Sequence, residues 1–457
     1  MELPAQGVEQ SVFNRIKDRP NLMQGAPMNL RLLAGEAFWV FIGQAGVAVA
    51  GLIGLKLLTQ VLEPPDFGKL AIANTIVILI GSSSFGPFGE GLSRFWPITK
   101  DRGELNVFYA LSNRITKYIV CALIAVAFFV SFSLLLFKYP DWAVLTALSS
   151  LVGIVSGIYG LRVGIFTASR QRQRTSILHI LTIFLKPLFA TVFVVLTFSQ
   201  VNIALAGYLT ASLLVLLLAE KWYRQTVRET LPDRMNSGTE KHLFDGLGKE
   251  ILSYSWPSIL WGIFGWIHMS CDRWSLQAFY GSEVVGAFSV ISQFSLYPLM
   301  LCSGFLGTLF SPIAFQKAGD LSQKHLRESA RRILLVMTGI FLLVLLFLVP
   351  VFSLFHKEII LLVSNEKFVH FSYLLPVLTA VWGLFYLGQF LTNFGMLLNR
   401  PALYIAPKII LSLMAGIGTF YLSRHMGPVG VVWGLGVANF CYVVLCSFIA
   451  AKLFRTW

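Results

Sequence analysis

Charge is scarce in this 457-residue sequence, where Asp, Glu, Lys and Arg together make up 13%. A soluble globular domain carries about 25%, so a soluble fold is excluded. Disorder is excluded as well, because 56% of the residues are hydrophobic and such a chain does not stay open. Cysteine is nearly missing. The five present, Cys121, Cys271, Cys302, Cys441 and Cys446, are odd in number, sit inside apolar runs and lack metal-ligand spacing. They argue against a disulfide framework or a zinc site. No Asn-x-Ser/Thr sequon occurs, which favours a bacterial protein over one made in a secretory pathway. A nucleotide loop is missing too. Gly81-Ser-Ser-Ser-Phe-Gly86 has the glycine spacing, but Pro87-Phe88 stands where Lys-Ser/Thr would follow. Neither ATP hydrolysis nor any cofactor is expected.

Long apolar runs are what the sequence has in quantity. A bilayer crossing takes about 20 apolar residues in a helix. Twelve runs qualify: Ala37–Leu55, Leu70–Phe88, Tyr118–Phe137, Trp142–Leu161, Ile177–Phe198, Ile203–Ala219, Ile251–Cys271, Val284–Phe310, Ile333–Phe355, Tyr373–Asn399, Ala402–Leu422 and Gly427–Ala451. Lys186 interrupts the fifth and Lys408 the eleventh. Pro187, Pro298, Pro376 and Pro407 lie inside spans, where proline kinks a membrane helix without ending it. The first 31 residues are polar, with no apolar stretch of the kind a signal peptide needs.

Lysine and arginine set the orientation. With the N-terminus inside, 26 of the 36 basic residues fall on inner segments, five on outer loops and five in or beside spans. The expected fold is an all-α integral membrane protein with 12 transmembrane helices in two parallel six-helix lobes, N-in/C-in. It divides into a cytoplasmic N-terminal segment (1–31), an N-lobe of spans 1–6 (32–220), a cytoplasmic linker (221–250) and a C-lobe of spans 7–12 (251–457). The formal charge of +14 then belongs to inner loops, and no nucleic-acid partner is expected.

The two halves resemble each other. A shift of 218 residues lays Leu58–Ala71 over Leu276–Ser289, with Gly68 on Gly286, Gly89 on Gly307 and Ser93 on Ser311. Near the ends of the halves the offset grows to 227, as if residues were inserted around Ser364–Phe371. Six spans per half make the repeats parallel, related by an axis along the membrane normal. Two lobes rocking about a central cavity is the physical reading.

Parallel six-plus-six architecture fits two large folds. The major-facilitator fold places a basic Gly-x-x-x-Asp-Arg-x-Gly-Arg-Arg turn after span 2, and Gly91–Glu104 does not match it. The chain instead resembles the polysaccharide-transport family of O-antigen flippases, within the MATE-like multidrug/oligosaccharidyl-lipid/polysaccharide (MOP) superfamily. Three segments carry the resemblance: Gly54–Leu70 with its Leu-Glu-Pro-Pro-Asp-Phe-Gly turn, Gly89-Glu-Gly-Leu-Ser-Arg-Phe95, and Ser270-Cys-Asp-Arg-Trp274 followed by Tyr280–Ser289. The resemblance covers essentially the whole chain. It implies a flippase in lipopolysaccharide or exopolysaccharide synthesis, moving an undecaprenyl-diphosphate-linked oligosaccharide across the bacterial inner membrane. Its partners would be this lipid-linked substrate, membrane lipids and the polysaccharide polymerase and chain-length machinery.

Charges within spans are costly, about 2.5–3.5 kcal/mol each at the bilayer centre on insertion scales. Lys186, mid-span beside Pro187, either lines the cavity and attracts an anion or pairs with a carboxylate or the carbonyl freed at the kink. Arg162, Lys56 and Lys408 are further candidate cavity cations, with snorkelling to an interface as the alternative. Glu90 and Arg94, one turn apart, are expected to form an ion pair. His268 and Asp272 on span 7, and Glu36 on span 1, are candidate groups for proton coupling; a polar helix end explains them equally. The amides Gln44, Gln389, Asn393 and Asn439 either bond sugar hydroxyls or join helices.

Two rivals remain at this stage. A MATE-like antiporter of small cations would use buried carboxylates, whereas the deep charge here is a lysine. A membrane glycan polymerase or glycosyltransferase would need a large outer loop, and the longest expected one, Phe355–Ser372, is small by that standard.

Overall fold

A computed structural model describes residues 30–197, 200–231, 240–318, 324–398 and 400–455. The expected N-terminal segment 1–31 lies outside these residues apart from its last two positions. So does the middle of the expected linker, residues 232–239.

The described chain is helical throughout. We number the helices α1 (Leu30–Val61), α2 (Pro64–Arg102), α3 (Leu105–Leu136), α4 (Pro140–Ala168), α5 (Arg172–Leu196) and α6 (Val201–Thr230). The next run, Glu240–Ala318, breaks at Gly281, whose φ of 78° and ψ of 179° leave the helix. Its arms are α7 (240–280) and α8 (282–318). Then come α9 (Lys324–Val363), the 3-10 helix Glu366–Leu374 and α10 (Leu375–Leu397). The last run, Ile405–Arg455, breaks at Gly427 (φ 57°, ψ −139°), giving α11 (405–426) and α12 (428–455). Among the described residues, ten helical segments are long and apolar enough to cross a membrane. Two of those ten, of 73 and 52 residues, contain the breaks at Gly281 and Gly427.

Several boundaries depart from the hydropathy reading. α3 begins at Leu105 and α6 runs on to Thr230, well beyond their apolar runs. Hydropathy marks only the lipid-immersed part, while the backbone ladder continues into polar surroundings where side chains meet water. Phe355–Ser372 is not an open loop either. α9 continues to Val363, and residues 366–374 form the 3-10 helix, because Ile359–Val363 is itself apolar enough to stay folded against its neighbours.

Packing sorts the helices into two groups. α1 packs on α5, α5 on α6, and α4 on α2, α3 and α6; the α11–α12 run packs on α10 and on the α7–α8 run, and α9 packs on α10. The two groups meet chiefly where α2 lies along α7 and α8. At this seam Gly68 and Gly286 bring the backbones into contact. A side chain on Gly68 would strike the Ser282 carbonyl, and one on Gly286 the Pro64 carbonyl. In lipid, close backbone approach of this kind replaces the hydrophobic drive that joins helices in water. α3 is buried in its first turns, from Leu105 to Thr116, and exposed further on, at Phe128, Phe129 and Leu136, as suits a helix whose second half faces acyl chains.

Two ends can be distinguished. One carries Arg102, bonded to Glu250, and Arg170, bonded to Glu36; it is the arginine-rich end. The other carries Lys56, where α1 turns into α2, and the Gly281 break.

Candidate functional site

Local sequence opens a slot inside the first group of helices. α4 presents Gly153, Gly157, Gly160 and Gly164, and α2 presents Gly81, Gly86 and Gly89, with residues 81–85 wound as a π-helix. Without side chains between them, α2 and α4 bound a cavity of about 780 Å³, closed on a third side by Tyr254 of α7. Its polar lining comes from Glu90, Ser93, Arg94, Ser156 and Thr167.

Lys186 reaches this cavity through Ser156. Its Nζ donates to Ser156 Oγ at 3.0 Å, and no acidic side chain pairs with it among the described residues. The amine therefore has a neutral hydroxyl as its partner beside the cavity. At the cavity's other extreme is Arg94. The expected Glu90–Arg94 ion pair is not formed. Glu90 Oε2 instead accepts from Ser258 Oγ of α7 at 2.7 Å, which leaves the guanidinium available along the same wall.

The other expected cations lie elsewhere. Arg162 is 6% exposed and bound within the first helix group. Its Nε donates to Glu220 Oε2 at 3.0 Å, its Nη2 to Asn113 Oδ1 at 3.1 Å, and its guanidinium stacks 3.8 Å from the Tyr223 ring centre. Lys408, 5% exposed, lies over the rings of Phe385 (4.7 Å), Trp261 (5.5 Å) and Tyr442 (6.0 Å), a cation–π enclosure. Lys56 Nζ donates to the carbonyls of Leu361 and Ser364 at the Lys56 end.

The three candidate coupling groups are likewise apart. Glu36 is bonded to Arg170 at 3.1 Å. Asp272 Oδ1 accepts from the backbone N–H of Arg273 at 2.8 Å and meets its guanidinium at 3.4 Å. His268 is fully buried and shares a 2.8 Å hydrogen bond with Asn439 Oδ1. Asn439 Nδ2 donates to the Val381 carbonyl at 2.9 Å, so Oδ1 faces the ring and His268 Nε2 carries the proton. The amide of Asn439 therefore joins helices, as does Gln389, which donates to Tyr442 Oη at 3.1 Å.

Sequence reading passed over Ser156 and the glycine walls. The signal was present in the small-residue spacing Gly153, Gly157, Gly160, Gly164 on α4, a pattern that lets helices approach or leaves a slot. Also unforeseen is Thr75, whose carbonyl accepts from Trp266 Nε1 at 2.6 Å and whose Oγ1 accepts from Trp274 Nε1 at 2.9 Å. Those two indoles join α7 to α2.

A profile of the family described as "Polysaccharide biosynthesis protein" matches residues 33–316, which is more than half of the chain. The chain belongs to the polysaccharide biosynthesis protein family. No curated protein sequence matches it. Among solved structures, this family member is similar to an inward-facing multidrug resistance MATE family transporter of the MOP superfamily, with 15% identity and a TM-score of 0.63, covering 92% of this chain and 95% of that one. It is also similar to the lipid II flippase MurJ in an inward closed conformation, with 13% identity and a TM-score of 0.66, covering 90% of this chain and 87% of that one. An outward-facing MATE transporter of the same superfamily fits at 14% identity and a TM-score of 0.57, covering 90% and 96%. At these identities the likeness shows the fold. This polysaccharide biosynthesis family member is a multi-pass membrane protein whose fold is that of the MATE and MurJ structures.

Proposed function

We infer that this protein flips an undecaprenyl-diphosphate-linked oligosaccharide, a polysaccharide repeat unit, across the bacterial inner membrane by alternating access. The observation that carries this reading is Lys186, an ammonium bonded to neutral Ser156 beside a cavity with Arg94 on its wall. A diphosphate needs cations not already neutralised, and charge-assisted bonds to phosphate oxygens are the strong ones. The glycine walls expose backbone and leave room for sugar rings. The lipid tail would stay outside the protein.

We take the chain to cross the membrane twelve times, with the helix breaks at Gly281 and Gly427 serving as the seventh and eleventh turns. The arginine-rich end faces the cytoplasm by the positive-inside rule, so both termini lie inside. Lys186 and Arg94 then receive the headgroup from the inner leaflet. The protein works as a carrier and not as an enzyme, its partners being the lipid-linked substrate, membrane lipids and the polymerase and chain-length machinery.

A MATE-like antiporter of small cations is the second reading, favoured by the fold. It fits the cavity less well, because the deep charge there is positive. Deletion of the gene followed by leaflet-specific analysis of lipid-linked glycans separates the two. Repeat units should accumulate in the inner leaflet. Their normal arrival in the outer leaflet, in a strain with no second flippase, would sink the first reading.

A further inference from the structure

The segment between α9 and α10 has no counterpart in the first half, where Phe137, Lys138 and Tyr139 alone join α3 to α4. It lies against the first half at the Lys56 end. Lys56 Nζ donates to the carbonyl of Ser364 at 2.6 Å and to that of Leu361 at 3.0 Å. Gln60, one turn on, donates to the same Ser364 carbonyl at 3.2 Å and accepts from Asn365 at 3.4 Å. Lys367 pairs with Glu63 at 2.5 Å. Phe368 is fully buried and meets Phe67 edge to face at 5.4 Å. One short segment is thus held by four residues of the first half, Lys56, Gln60, Glu63 and Phe67, at the turn from α1 to α2.

The repeat sharpens the point. The 218-residue shift sets Trp274 over Lys56, and Trp274 also reaches across the seam, to Thr75 Oγ1 at 2.9 Å. Both residues reach over to the other half. Only the Lys56 arm is charged, and only it grips a segment that its own repeat lacks. The segment is tied to the last turns of α9 by the 2.9 Å hydrogen bond between His356 and Ser372. Just before His356, the helix breaks at Phe355 (φ −120°, ψ 24°), a place where residues 356–374 can turn as a unit.

The carbonyls that Lys56 holds are the last ones of α9, which have no partner within the helix and carry its negative end. A cation stabilises them, yet they are neutral dipoles. A phosphate or diphosphate oxygen is a stronger partner for an ammonium than a carbonyl is. We propose that Lys56 is an anion-responsive latch. Bound to Leu361 and Ser364 it keeps Glu366–Leu374 down and the Lys56 end shut, and an anionic headgroup that takes the ammonium releases the segment. Cargo arriving from the cavity then opens its own exit, and an empty carrier stays sealed. The identity of the anion rests on the function inferred above; the contacts of the latch do not.

Amide hydrogen exchange on the full chain in nanodiscs tests the latch without any transport assay, with inorganic pyrophosphate as the probe. Pyrophosphate should raise exchange in residues 364–374 of the wild type several-fold over sodium chloride of matched ionic strength. Lys56→Met should raise it without pyrophosphate and abolish the response, while Lys56→Arg should keep the response. No effect of pyrophosphate on the wild type, or unchanged exchange in Lys56→Met, would overturn the latch. A second variant couples it to export. In a Cys121→Ser background, Gln60→Cys with Asn365→Cys should stop surface glycan export when oxidised and restore it on reduction. Normal export with the cross-link closed would also overturn it. Should deletion of the gene leave export intact, the cargo reading fails and the exchange experiment still decides the latch.

Discussion

Gly68 and Gly286 pack reciprocally. Gly68 lies against the Ser282 carbonyl and the Gly286 nitrogen, and Gly286 against the Pro64 carbonyl and the Gly68 nitrogen. The same 218-residue shift relates Gly68 to Gly286 and Pro64 to Ser282. Each half therefore makes on the other the contact that the other makes on it, as in an isologous interface between two subunits.

Adding a methyl group there should be costly. Gly68→Ala or Gly286→Ala forces the two backbones apart, and overpacking of this kind costs about 1–3 kcal/mol. Gly307→Ala, where nothing lies within 4 Å, should be close to neutral. Thermal unfolding in detergent, read by fluorescence-detected size exclusion, ranks the three.

The cavity can be filled without disturbing the fold. Gly160 lines the slot and has no atom within 4 Å of where a Cβ would stand. Gly160→Leu should leave thermal stability unchanged or slightly raised, since leucine is the better helix former, while glycan export falls. Unchanged export with full expression would remove the slot from the transport path.

Lys186 should act through its charge. Lys186→Leu should lower export at least tenfold, because a hydrogen bond to a charged group contributes about 1.5–3 kcal/mol and tenfold is about 1.4 kcal/mol. Lys186→Arg should be milder, and folding should be kept in both. Equal export in all three proteins would make Lys186 structural.

Arg162 should behave in the opposite way. Its pair with Glu220 and its Asn113 contact are internal to the first helix group, so Arg162→Met should cost stability. Breaking a buried pair from one side costs about 3–5 kcal/mol, though the partly exposed Glu220 reduces that. Arg162→Met with Glu220→Met should recover part of the loss. A double variant no more stable than the single one would show that the pair is not what Arg162 supports.

The sequence by itself determined the class of the protein. A bilayer interior accepts only helices of about 20 apolar residues or closed barrels, so the apolar runs, the repeat and the asymmetry of basic residues were legible from composition and spacing. It left Lys186, Arg162, Lys56 and Lys408 looking alike, four cations near or within spans. Only the tertiary structure separated them, giving Arg162 a carboxylate, Lys408 three aromatic rings, Lys56 the carbonyls of α9 and Lys186 a single hydroxyl beside a cavity. The reason is physical. Insertion depends on the side chains of one helix at a time, whereas the availability of a buried charge depends on what faces it from other helices, dozens to hundreds of residues away in sequence.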